Sequence, residues 1–187
     1  MKDYFSSKSF KDHRKKIIKT ITNLPYQDSP DGWERKKVFT VGGLQYIGFS
    51  DDSRYLLIVS VSGRGLIDLS NFELIARDRE EYGDWLDDTN LFCEGIGPLS
   101  GKRIRIAGIS GGLPTHTKYN DSLYIAAPLY PCNDIVYQPP FQHCLVEKHD
   151  QGCVVMHRGS VKCYGFSWSG NIMVVIDEDL HLWERKQ

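Results

Sequence analysis

The 187-residue sequence contains no uninterrupted run of about 18 apolar residues, so no membrane-spanning helix is expected. Met1 to Thr20 carries scattered Lys and Arg, with neither an apolar h-region nor a small-residue cleavage site, which argues against secretion. No Cys-x-x-Cys pair is present. The five cysteines are odd in number and irregular in spacing, so neither a disulfide framework nor a standard zinc framework is expected. Reduced thiols in a cytoplasmic setting fit these features. An excess of one charge is missing too: 23 Lys and Arg against 24 Asp and Glu give a formal net charge of -1, so the chain as a whole is no polyanion binder. With no recognition-helix pattern and no aromatic RNA-binding signature, specific nucleic-acid recognition is not expected either.

What is present suits one soluble domain with a sizeable core. Residues 1–30 read as a helical segment and 31–187 as a β body. In the first, Phe10, the aliphatic stem of Arg14, Ile17, Ile18 and Ile21 follow the i, i+3, i+4 rhythm of a basic amphipathic helix. Ser9 suits its N-cap, and Pro25 stops it. After Pro30-Asp31-Gly32 the periodicity changes to short β-branched and aromatic runs bounded by Gly, Asp, Asn and Ser, the pattern of antiparallel strands joined by tight turns. Such runs occur at 38–41, 44–49, 55–61, 66–67, 103–107, 123–127, 134–137, 144–147, 153–157, 161–166 and 172–176. Residues 80–90 fit either a short acidic helix or a long loop.

Two stretches repeat one layout. Gly48-Phe49-Ser50 and Gly165-Phe166-Ser167 each open a polar turn, then a continuous apolar strand, Tyr55 to Val61 or Ile172 to Ile176, then a second turn and strand. The starts lie 117 residues apart, three intervals of 39, close to the length of one four-stranded propeller blade. With Leu180-His181-Leu182-Trp183-Glu184 in the place of a closing apolar-x-apolar-Trp-Asp, these residues resemble WD-repeat-like β-propeller blades. The likeness covers about 45 residues. It implies a propeller-like or partial-propeller arrangement of antiparallel sheets; a β-sandwich is the alternative.

Enzyme chemistry has one lead. Gly108-Ile109-Ser110-Gly111-Gly112 matches the G-x-S-x-G nucleophile elbow after an apparent strand, with Asp121 or Asp134 and then His143 in the expected order. The elbow also needs a helix directly afterward, and Leu113-Pro114-Thr115 breaks one near its start. A serine hydrolase using Ser110 and His143 is therefore the alternative reading. Gly95 to Lys102 has the wrong spacing for a phosphate loop and reads as a turn. Cys132, His143, Cys144, His149, Cys153, His157 and Cys163 crowd into 32 residues. Hairpins turning at 149–152 and 158–160 would put Cys144, Cys153, His157 and Cys163 on one sheet face, with Cys144, His157 and Cys163 as the candidate metal ligands. Their Val neighbours favour thiols filling a core, and no metal or other cofactor is expected.

The preferred lead is aromatic. Residues 124–141 interleave Tyr130, Tyr137 and Phe141 with Pro128, Pro131, Pro139 and Pro140, and prolines stiffen a chain while denying it ladder hydrogen bonds. Trp168 occupies a tight turn where the other copy has Asp51. Rigid aromatic anchors of this kind suit a protein partner. The reading is a non-catalytic protein-protein interaction module, of which a small bacterial inhibitor or immunity-type protein is one version.

Overall fold

The structure, a computed structural model, describes residues 7–80, 83–108 and 112–187. They are mainly β, arranged in antiparallel sheets with one N-terminal helix. The chain divides into two compact units, one of Met1–Asp31 with Tyr119–Ser160 and one of Gly32–Lys118 with Val161–Gln187. The first unit thus joins the N-terminal piece, up to Asp31, with residues from the middle of the chain.

In the first unit, helix α1 (Lys8–Thr22) lies against a three-stranded antiparallel sheet of order β10-β11-β12, with β10 at Ser122–Leu129, β11 at Cys132–Gln138 and β12 at Val154–Gly159. Its N-cap is Ser7 and not Ser9: the Ser7 hydroxyl accepts from the Phe10 N–H at 3.2 Å. The apolar stripe read from the sequence does its expected work. Ile21 and Ile17 pack with Tyr124, Ala126, Val136, Val155, Cys144 and Cys153. Residues 25–27 then run along β12, where the Gln27 N–H donates to the Val155 carbonyl at 2.9 Å and the Val155 N–H to that of Pro25 at 2.8 Å.

The second unit holds three sheets. One has the order β5-β4-β3-β2-β9, with β2 at Leu44–Phe49, β3 at Tyr55–Ser60, β4 at Gly63–Asp68, β5 at Glu73–Asp78 and β9 at Ala107–Gly108. Another has the order β1-β15-β14-β13, with β1 at Trp33–Thr40, β13 at Cys163–Phe166, β14 at Ile172–Ile176 and β15 at Asp179–Arg185. The third joins β6 (Leu86–Asp87), β7 (Phe92–Glu94) and β8 (Arg103–Arg105), so 80–90 forms no helix among its described residues.

The β2–β5 sheet is covered on both faces. Ile47, Phe49, Leu56, Ile58 and Ile67 meet Ile172, Val174, Ile176, Leu180 and Leu182, whereas Leu57, Val59 and Leu66 on the other face meet Trp85, Cys93, Ile104 and Ile106. Burial on two faces explains why β3 reads Leu-Leu-Ile-Val with no polar alternation. Buried Arg64 ties β4 outward. Its guanidinium donates to the Asp78 carboxylate and, at 3.1 Å, to the Glu94 carbonyl, and it lies 4.4 Å from the Trp85 ring centre.

The sequence repeat is matched in the hydrogen bonds that close its two turns. In the β2–β3 turn, the Ser50 N–H donates to the Tyr55 carbonyl at 2.9 Å and the Tyr55 N–H to the Ser50 Oγ at 2.9 Å. In the β13–β14 turn, the Ser167 N–H donates to the Ile172 carbonyl at 2.9 Å and the Ile172 N–H to the Ser167 Oγ at 3.1 Å. The fourth turn residue has positive φ in both, +57° at Ser53 and +74° at Gly170. These turns also touch each other: the Ser169 N–H donates to the Ser53 Oγ at 3.0 Å. Strands β2, β3, β4 and β5 thus correspond to β13, β14, β15 and β1. The last of these comes from the opposite end of the unit and pairs along β15 from Trp33 with Arg185 to Thr40 with Asp179. Among the described residues no sheet closes on itself into a barrel.

Candidate functional site

The aromatic candidates separate in the structure. β10 and β11 form a hairpin, paired from Ser122 with Gln138 to Leu129 with Cys132, which leaves Tyr130 and Pro131 as its tip. The peptide between those two is cis. Prolines at 128 and 131 bracket the tip because neither can donate to a ladder there. Leu129 is 68% exposed and Tyr130 86%, so two large apolar side chains stand side by side in solvent. Beside Leu129 is a concavity of about 280 Å³, lined by Thr22, Pro128, Leu129, Cys132, Asp134 and Arg158. Arg158 Nε lies 3.6 Å from Asp134 Oδ2. Burial pushes the Asp134 carboxyl above its ordinary range, and the Arg158 charge opposes that rise.

Tyr137 does not join this surface. It is only 4% exposed, paired with Leu123 and Val154 across the two ladders, and its hydroxyl donates to Asp121 Oδ2 at 3.2 Å. It is a core residue. Phe141 is 80% exposed, with φ +62°, beyond Pro139 and Pro140. The seven residues of β11 separate it from the tip, roughly 23 Å at the usual rise of a strand, so Tyr130 and Phe141 form no common patch. Trp168, in the second unit, is 41% exposed. Its indole N–H donates to the Phe49 carbonyl at 3.3 Å, so the side chain helps to hold the two equivalent turns together.

Of the hydrolase candidates, Ser110 lies outside the described residues. His143 is exposed, with its ring 5.8 Å from that of Tyr124. The Leu145 N–H donates to His143 Nδ1 at 3.2 Å, so the neutral ring carries its proton on Nε2. A triad base needs the opposite arrangement, with the proton on Nδ1 and the lone pair on Nε2.

The hairpins expected to gather the thiols do not form. Residues 144–147 belong to a turn-rich loop held by the bond from the Cys144 N–H to Gln138 Oε1 at 2.9 Å, and β12 pairs with β11 instead. Cys144 lies in the core of the first unit and Cys163 in that of the second, opposite Ile176. Burial pushes the Cys144 and Cys163 thiols up to about 11 and Cys153 up to about 12. A metal binds the thiolate, so these environments oppose ligation by the cysteines. His157 is half-buried on β12, opposite Ile135.

Sequence reasoning passed over Leu129. The signal was available: an apolar residue directly before Tyr-Pro, between two runs of strand character, belongs to a hairpin tip. No protein-family model and no curated protein matches the chain.

Proposed function

We infer that the protein is a non-catalytic protein-protein interaction module that holds its partner with the tip of the β10–β11 hairpin. One observation carries this reading: Leu129 and Tyr130 stand adjacent and largely in solvent on a pinned stem. The pins are buried. Gln138 Nε2 donates to Ser122 Oγ at 2.9 Å, and the Tyr137 hydroxyl donates to Asp121. These bonds fix the base of the stem, the paired hairpin carries the tip outward from it, and Tyr and Leu supply apolar area there. The concavity beside Leu129 would receive a side chain of the partner.

The second unit serves as scaffold in this reading. The matching plans of β2–β5 and of β13, β14, β15 and β1 support a blade-like, WD-repeat-like design for it. A small inhibitor or immunity-type protein of bacterial kind is the version that suits a compact chain whose business is to cover another protein.

Affinity capture from the cells that make the protein tests the reading, with wild type and Tyr130→Ala as parallel baits. Wild type should retain a partner near one-to-one, and Tyr130→Ala should retain it about 30-fold more weakly, the loss typical of a central aromatic anchor. Equal retention by both baits, or no stoichiometric partner, overturns it.

A further inference from the structure

A cavity of about 180 Å³ lies within the second unit, lined by residues 39–42 at the end of β1 and by parts of β3, β4 and β5. Its place follows from the register of the sheet. Ile58 stands opposite Gly65 and Gly65 opposite Arg77, and residues directly opposed across antiparallel ladders project from the same face. The middle member of that row has no side chain. Its neighbours close over it, since a Cβ at Gly65 would meet Ile58 Cγ1 at 2.8 Å and Leu74 Cδ1 at 3.2 Å. Ile58 and Leu74 thus give the cavity a hydrocarbon lining, to which Phe39 and Val41 add, and Arg77 stands at the end of the row.

The charges at this cavity are of one sign. No Asp or Glu lines it. Of its two arginines, Arg64 belongs with Asp78 to the opposite face of the ladder, where its guanidinium donates to that carboxylate and lies over the Trp85 ring. The acids at the two ends of β5 are both engaged, Asp78 by Arg64 and Glu73 by Lys37 Nζ at 2.9 Å. Among the described residues Arg77 has no hydrogen-bond or ion-pair partner, which leaves its charge available to a ligand. An apolar cavity of about 150 Å³ takes up benzene, so this one has room for a single ring or a branched chain of that size. A guanidinium presents two parallel N–H groups that match the two oxygens of a carboxylate. A phosphoryl dianion fits less well, because one guanidinium would leave its second charge uncompensated beside hydrocarbon.

We propose that this cavity is a binding site for a small monocarboxylate whose apolar body is the size of a phenyl ring, with the carboxylate paired to Arg77 and the body against Ile58, Leu74, Phe39 and Val41. The site goes beyond protein binding. It belongs wholly to the second unit and uses no residue of the β10–β11 tip.

Phenylacetate titrated into the full chain, followed by the amide resonances of nitrogen-labelled protein, tests it. Shifts of amides in 58–65 and 74–77 should saturate with a dissociation constant of about 1 mM, ordinary for a ligand of this size. Phenylacetamide keeps the shape and loses the charge, and phenethylammonium inverts the charge; each should bind about tenfold more weakly. Acetate, which lacks the ring, should not saturate. Arg77→Gln should bind phenylacetate about tenfold more weakly, whereas Arg79→Gln, which removes an exposed cation outside the lining, should change the affinity by no more than about twofold. Melting temperatures check that both variants fold. No saturable shift up to about 20 mM phenylacetate overturns the proposal. So do shifts confined to other residues, equal binding of the amide, or equal losses from the two arginine variants. Tighter binding of phenyl phosphate, or of a peptide ending in Phe, gives the cavity a different occupant and overturns it too. Tyr130→Ala should bind phenylacetate as wild type does. Loss of phenylacetate binding with Tyr130-dependent capture intact removes the cavity alone, and the converse removes the tip alone.

Discussion

Tyr130 and Tyr137 lie seven positions apart in one aromatic string, and their environments are opposite. Alanine at Tyr130 should change the free energy of unfolding by no more than about 0.5 kcal/mol, whereas alanine at Tyr137 should cost about 3 kcal/mol through the lost buried ring, both read from urea denaturation. The sequence cannot separate the two because β11 is buried at five successive positions, from Asp134 to Gln138, so no alternation marks an inner and an outer face. The thiols show the same limit. Their crowding in sequence is real, yet burial sends Cys144, Cys153 and Cys163 into apolar surroundings, and a thiol pushed up to about 11 or 12 is almost entirely protonated near neutral pH. Cys93 is likewise buried and pushed up to about 11, which leaves Cys132 as the exposed cysteine. Native protein at neutral pH should therefore react with a chromogenic disulfide at one site, lost in Cys132→Ser, and at all five in denaturant. A second fast-reacting thiol would contradict the burial. Arg64 was hidden by its own context, since Ser62-Gly63-Arg64-Gly65 reads as a turn, whereas the residue is buried in β4. Replacing it with Met leaves Asp78 without its main partner and should cost about 3 kcal/mol.

Among the elements, β2 and β14 were legible to the residue, because runs rich in aromatic and branched apolar residues end at turns with a polar signature. Strand β5 was not. Glu-Leu-Ile-Ala-Arg-Asp forms an exposed edge, whose mixed side chains carry no burial pattern to read. The repeated turns differ in one instructive way. Asp52 is held below its ordinary 3.8 because the Ser50 hydroxyl and then the Arg54 N–H donate to it, whereas the matching position in the other turn is Ser169, bonded to Ser167 Oγ at 3.0 Å. A carboxyl lowered in the fold stabilises it above the ordinary value, and that support is lost as pH falls through the lower folded value. Asp52→Ser should thus shift stability near neutral pH by no more than about 0.5 kcal/mol and flatten the decline in melting temperature between pH 5 and pH 3. An unchanged acid slope would show that the carboxylate contributes nothing there.

Across the whole molecule, charge is divided although it nearly cancels. Outside α1 there remain 17 Lys and Arg against 23 Asp and Glu, so a near-neutral chain sets a net basic helix, with six Lys and Arg to one Asp, against a net acidic remainder. The sequence recovered the β character and the repeat, which depend on neighbours in the chain, but not the meeting of 1–31 with 119–160, which depends on partners about a hundred positions away. The pairing of β1 with β15 spans a similar gap and bears on how the protein is made. When β1 leaves the ribosome, its mate is about 140 codons from being read, so at usual elongation rates β1 waits roughly 7 to 30 seconds. Throughout that interval Trp33 and the strand's bonding groups are open to any other nascent chain or chaperone. A message cut short before codon 179 would release a polypeptide that can never close its first sheet.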